Sequence, residues 1–307
     1  MKNTINFYYN IFLDELIKKD NCYYFYYGGD EYYFVPLNRP YDDVQSIYKL
    51  NLEMKKRRCL VHELVLNKDK SIITVVNGIS YVLIKLCKYK NDKVFLNDIN
   101  YIQNMTVNIE CDKSLVRNEW IKLWSEKIDY YEYQISQVGK KYPLLCDSLS
   151  YFIGMGENAI SYLVNNLDSK TNVNLVVSHK RIYQERGSLN FYDPLNFVVD
   201  SRVRDVAEFI KETFYNKTLN SYDLKSYFNM ANLNKNEYIL LLGRLLFPTY
   251  YFDIYDDIIN KGKSEELVIN IIDRTDEYES LLNTIYKFIL YEKKARLEPI
   301  EWLQDKN

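Results

Sequence analysis

The hydrophobic period of this chain changes once, near residues 88–97, and that change restricts its fold more than any other feature. Before it, apolar residues run in short stretches broken by turn signals. Residues 22–27 and 31–37 flank Gly28-Gly29-Asp30, and residues 71–76 and 79–87 flank Asn77-Gly78. Asn-Gly between two such runs is the strongest short hairpin signal, because both residues tolerate the positive φ of a tight turn. Residues 60–66 read as another strand. One helix interrupts them at 41–58, with Val44, Ile47, Tyr48, Leu52 and Met54 facing inward. After the change the pattern is helical. Trp120, Trp124, Ile128, Tyr131, Ile135 and Val138 are spaced by three or four and share one helix face. Further helices are predicted around Leu149, Phe152, Ile153, Ile160, Leu163 and Val164, over 205–215, over 238–257 with Pro248 kinking or dividing it, and from Tyr278 to Ile289. Two short β segments, 174–178 and 196–200, interrupt these helices. The order is an α+β chain with a sheet lobe at 1–90 and a helical lobe at 91–307.

Composition removes several classes of function. The net charge of −2 lacks the basic footprint of nucleic-acid binding. An apolar share of 47% across 307 residues supports a substantial core. The first 21 residues are amphipathic and charged, with no uninterrupted apolar core like that of a signal peptide. No later run approaches the roughly 18 apolar residues that span a bilayer. The expectation is a soluble protein that is not exported by the usual route. The five cysteines are scattered and form no CxxC, so buried free thiols are expected rather than disulfides or a zinc site. Two histidines cannot build a typical His-rich metal centre. There is no GxSxG, and Asp253, Asp256 and Asp257 read as a solvated acidic helix face.

Two stretches carry a resemblance. An apolar run leads into Ser178-His179-Lys180-Arg181, and a second ends Val198-Val199-Asp200, followed by Asp205-Val206-Ala207-Glu208. This order resembles aminoglycoside phosphotransferase-like kinases, in which a strand leads into His-Gly-Asp, another ends in a metal-binding Asp, and Asp-Leu-Ala opens a helix. The chain is more similar still to the YutH branch of the CotS-like spore-coat family. Gly156 to Leu163, Arg244 to Pro248 with Tyr251-Phe252, and Tyr32 to Asn38 add to the likeness, which covers about residues 21–257. It implies a protein kinase-like two-lobed fold.

What the family's chemistry requires is largely missing. Phosphoryl transfer on this fold is positioning plus charge stabilisation, by a strand lysine, a catalytic-loop Asp, and an Asn and a second Asp holding magnesium. Arg181 stands where the loop Asp belongs, and a cation cannot accept a proton. The expected Asn falls near Arg186, with Asn190 out of register, and the expected lysine falls near Pro36. Lys85 reads as an ordinary solvated lysine. Gly28-Gly29 reads as a turn, not a phosphate loop, since neither GxGxxG nor GxxxxGK[ST] occurs. His179, Arg181, Asp200 and Asp205 are therefore expected as degenerate positions forming a structural cluster, with Arg181 paired to Asp200. Asp200 is the only retained metal candidate, and no catalytic residue, cofactor or metal is expected. The resemblance implies a pseudokinase acting as a structural or interaction component like spore-coat proteins. Its implied partners are other proteins, and its location is the cytoplasm, or the spore coat in a sporulating organism. A small-molecule ligand in the inter-lobe cleft is possible though not predicted. The alternative is a small-molecule phosphotransferase with relocated catalytic groups.

Overall fold

The computed structural model describes residues 1–88, 91–168, 173–295, 297–300 and 303, and for Arg186 and Ser188 the backbone alone. The strands are β1 (Ile17–Lys19), β2 (Cys22–Tyr27), β3 (Asp30–Pro36), β4 (Glu63–Val65), β5 (Ile73–Val76), β6 (Ile79–Lys85), β7 (Leu175–His179) and β8 (Phe197–Ser201). The helices are α1 (Lys2–Tyr9), α2 (Tyr41–Lys56), α3 (Leu96–Thr106), α4 (Trp120–Val138), α5 (Pro143–Asn166), α6 (Gly187–Phe191), α7 (Arg204–Tyr215), α8 (Ser221–Met230), α9 (Lys235–Leu246), α10 (Thr249–Lys261), α11 (Ile269–Ile272) and α12 (Thr275–Tyr291). They form two compact units: Met1–Val116 with Leu175–Asp200, and Arg117–Asn174 with Ser201–Asn307.

The first unit is built on an antiparallel sheet of order β1-β2-β3-β6-β4, with β5 pairing β6. Both predicted hairpins form. Asn77 and Gly78 take φ of 51° and 79°, the left-handed pair that matches the twist of the strands they join. Period-two alternation puts Phe25, Phe34, Tyr81 and Leu83 in one cluster, and Ile5, Ile11 and Leu13 from the N-terminal segment cover it. The helix α2 buries Val44, Ile47, Leu50 and Met54 as its spacing requires. Leu52, expected inside, is instead exposed, and polar Asn51 is buried in the core. Asn51 can replace an apolar residue there because both polar atoms of its amide are engaged: Nδ2 donates to the His62 carbonyl at 2.8 Å and Oδ1 accepts from the Leu64 N–H at 3.1 Å. β7 and β8 pair as a separate two-stranded ribbon.

The second unit is helical and its core is strongly aromatic. Trp124 stacks on Phe247 at 4.4 Å, Tyr131 on Phe252 at 4.5 Å and Phe152 on Tyr251 at 3.8 Å. The predicted α4 stripe is correct, with Ile128 and Tyr131 fully buried at its centre. Val164 does not join the α5 stripe and is exposed. A Cβ at Gly243 would lie 2.4 Å from the Leu163 side chain, so any larger residue there would have to displace that buried leucine between α5 and α9. Pro248 divides the expected 238–257 helix into α9 and α10. Among the described helices none is long and apolar enough to cross a membrane. All five cysteines are free thiols, but only Cys59 is buried and Cys146 is exposed, contrary to the expectation of buried thiols.

Candidate functional site

The predicted site residues begin where β7 ends. His179 is buried, and its Nε2 lies 2.7 Å from the Phe191 carbonyl oxygen, an acceptor only, so that nitrogen carries the proton. Its ring stacks on Phe191 at 4.5 Å and meets the edge of Phe197 at 5.3 Å. The imidazole therefore pins the loop to the ribbon. Arg181 is half-buried and donates from Nη1 to the Lys180 carbonyl at 2.9 Å. Asn196, at the entry to β8, holds this turn from the other side. Its Nδ2 donates to the Arg181 carbonyl at 2.9 Å and to Asn190 Oδ1 at 3.4 Å, and its own carbonyl accepts from the Lys180 N–H at 2.8 Å. Asp200 is wholly buried at the end of β8. His179, Arg181 and Asp200 belong to the first unit, while Asp205, buried in the first turn of α7, belongs to the second.

Two residues of this region escaped the sequence reading. Arg39 is buried, and its Nη1 donates to the Phe197 carbonyl at 2.6 Å and the Leu195 carbonyl at 3.4 Å while Nη2 pairs with Asp43 at 3.3 Å. It fastens the β3–α2 connection to the start of β8. Asp193 accepts from the Leu195 N–H at 2.9 Å. Desolvation pushes its carboxyl up to about 6, against that hydrogen bond and the nearby charges of Arg39, His179 and Lys180. The only sequence signal for it was Asp-Pro ahead of a strand, which marks a turn.

The strand expected to carry a phosphate-binding lysine has none on either face. Pro36 lies opposite Tyr81 and shares the face of Phe34, while Tyr33 and Val35 occupy the other. Lys85 lies opposite Tyr32, with its ammonium 2.5 Å from Asp30, so it is an ion-paired lysine rather than the solvated one expected. That hydrogen bond holds the Asp30 carboxyl below the usual range. On α10, Asp256 accepts from the Tyr131 hydroxyl at 2.9 Å, and Asp257 meets Lys261 and Lys263, so the acidic face is engaged rather than merely solvated.

Within the first unit a cavity of about 480 Å³ opens beside β2 and β3. Tyr24 and Tyr26, on one face of β2, line it together with Phe25 and Tyr32, whose stacked rings belong to the other face, and Leu86, Cys87 and Leu189 close it further. His62 braces it. Its Nδ1 accepts from the Cys87 N–H at 3.1 Å, so Nε2 bears the proton and bonds the Leu189 carbonyl at 3.2 Å. Its backbone N–H donates to the Tyr192 carbonyl at 3.0 Å. Gly187, at φ 55° and ψ −161°, brings the loop against 91–92, where a Cβ would sit 2.4 Å from the Asn91 carbonyl. The charged lining is Glu31, Asp92 and Glu185, with Lys93 paired to Glu185 at 2.9 Å. No Lys or Arg is among the described lining residues.

The family model for the spore coat putative kinase YutH matches residues 2–285. The chain belongs to the YutH family. It is 29% identical over 207 residues to the endospore coat-associated protein YutH of Bacillus subtilis (strain 168), a match covering 60% of this chain and 61% of that relative. Solved structures with the same architecture include an aminoglycoside phosphotransferase from Alicyclobacillus acidocaldarius subsp. acidocaldarius DSM 446, with a TM-score of 0.66, 9% identity, and coverage of 92% of this chain and 94% of that one. The amicoumacin kinase hAmiN aligns with a TM-score of 0.56 at 12% identity, covering 98% and 95%. At these identities the likeness shows the fold alone, and the fold is α+β and kinase-like, with a small antiparallel sheet lobe and a larger helical one. This YutH-family chain thus carries the expected scaffold, with His179 and Asp200 in the expected strands and Arg181 two residues after the histidine.

Proposed function

We propose that this YutH-family protein does not transfer phosphate and serves as a structural or interaction component of the spore coat, with other proteins as its partners. The observation that carries this is Arg181, a permanent cation at the position where the family chemistry needs a proton acceptor. Two features support it: β3 offers no lysine, and the described cavity lining presents carboxylates and no cation to a polyphosphate. Arg181 pairs with Asp200 in place of magnesium, and His179 and Asp205 persist for stability. The coat location follows the curated relative. A ligand of the native state raises apparent stability in proportion to ln(1 + [L]/Kd). Thermal unfolding with millimolar ATP and magnesium is therefore expected to match unfolding without them, and a rise in midpoint would contradict the proposal.

One observation favours a second reading, a phosphotransferase with a relocated base. Asp193, with its carboxyl pushed up to about 6, has the proton affinity that general bases near neutral pH require. On that reading Asp193→Asn abolishes a turnover that the unaltered protein shows; on ours there is no turnover to abolish.

A further inference from the structure

We propose that the cavity of the first unit binds a small organic ammonium ion. The inference rests on the reading that nucleotide does not occupy this cavity. Its volume, about 480 Å³, lies in the range of small-molecule sites. Two rings on one face of β2, Tyr24 and Tyr26, line it, with Glu31 opposite Tyr26 on the same face. Aromatic faces carry negative potential and attract cations, and the attraction grows where water is displaced. The charges agree in sign with the rings. Glu31 and Asp92 line the space, Glu185 is paired with Lys93, and Lys85 faces Asp30. A polyphosphate would bring several negative charges to a lining whose described residues include no Lys or Arg. An ammonium ion meets both rings and carboxylates.

The cavity is also held open. The neutral His62 ring uses both nitrogens to tie the end of β6 to the loop at Leu189, and Gly187 sets that loop against 91–92. A preformed site loses less in ordering when its ligand arrives. A neutral ligand could gain from stacking on the rings but nothing from the carboxylates. Charge is therefore what separates the proposal from a merely aromatic pocket.

The test is titration calorimetry on the full chain with choline, its neutral isostere 3,3-dimethylbutan-1-ol, and magnesium-ATP. Choline is expected to bind, with the isostere weaker by about tenfold or more. Asp92→Asn and Tyr26→Ala, both at exposed positions, should weaken choline without moving the unfolding midpoint. Equal binding of the isostere, or choline binding insensitive to both substitutions, overturns the assignment. No choline binding together with no ATP binding overturns this inference alone. ATP binding with no choline binding overturns both this inference and the reading of a cavity closed to nucleotide; ATP binding that choline displaces overturns that reading alone.

Discussion

Lys211 offers the sharpest test of how the helical unit is held together. It lies on α7 with its ammonium buried and donates to the Arg244 carbonyl at 2.9 Å, the Thr249 hydroxyl at 2.8 Å and the Phe247 carbonyl at 3.3 Å, with Glu208 Oε1 at 3.0 Å. These acceptors surround the break between α9 and α10. The last carbonyls of α9 have no intrahelical partner, and Pro248 has no N–H to give them. Lys211 thus satisfies the Arg244 carbonyl, as the Tyr278 hydroxyl does the Leu245 carbonyl at 2.7 Å, and it complements the negative pole of α9. Burial holds the ammonium below its ordinary 10.5, which shows how far it has left water. Lys211→Met keeps the volume but leaves a carboxylate and two carbonyls without that donor, at a cost of about 3–5 kcal/mol. Adding Glu208→Gln removes the orphaned charge and should recover part of the loss. Lys211→Arg should also destabilise, because a planar fork cannot reproduce the ammonium's spread of donors. Urea unfolding followed by circular dichroism measures all three. If Lys211→Met costs less than about 1 kcal/mol, in the range of an exposed ion pair, the bracing argument is wrong.

Gly187→Ala should destabilise the first unit by about 2–6 kcal/mol, from a φ/ψ region open to little but glycine and from overlap with the Asn91 carbonyl; a wild-type urea midpoint would refute this. Arg181→Ala should lower the unfolding midpoint if Arg181 and Asp200 form the proposed pair, and an unchanged midpoint would remove the pair from the account. Alkaline stability should fall steeply. Burial raises the phenols of Tyr9, Tyr151 and Tyr251 to about 12, and raises Tyr131, Tyr215 and Tyr278 as well. Unfolded tyrosines ionise near the ordinary 10, so above that pH the unfolded chain sheds protons first, and stability present below about pH 10 is lost as pH rises through 12. A melting temperature that stays level across this window would contradict the assignment.

What the sequence revealed follows from how local each signal is. The hairpins at Gly28-Gly29 and Asn77-Gly78 were legible because a positive-φ turn is written in two adjacent residues. The α4 stripe was legible because six large apolar residues keep one face. In α3 the signal is weaker, since buried Gln103 and Thr106 fill core positions beside Ile99 and Ile102. Thr106 does so by donating to the Ile102 carbonyl at 2.7 Å and accepting from the Val177 N–H at 3.0 Å. The same polar substitution on α2 displaced Leu52 from the expected face. His179, Arg181, Asp200 and Asp205 were found because short motifs keep them in order along the chain. The cavity was out of reach, because its described walls come from β2, β3, His62, Leu86 and Cys87, Asn91 and Asp92, and Glu185, Gly187 and Leu189, and meet only after folding. Arg39 was equally hidden, being a single cation in a loop whose acceptors lie some 150 residues away in the chain.

The central claim is that this scaffold performs no phosphoryl transfer, and a direct turnover assay tests it. Purified protein with ATP and magnesium should release no phosphate and label no hydroxylated acceptor above the protein-free background. Arg181→Asp alone should leave that result unchanged, because β3 still lacks a lysine. Turnover by the unaltered protein that disappears in a folded Asp200→Ala variant would contradict the account.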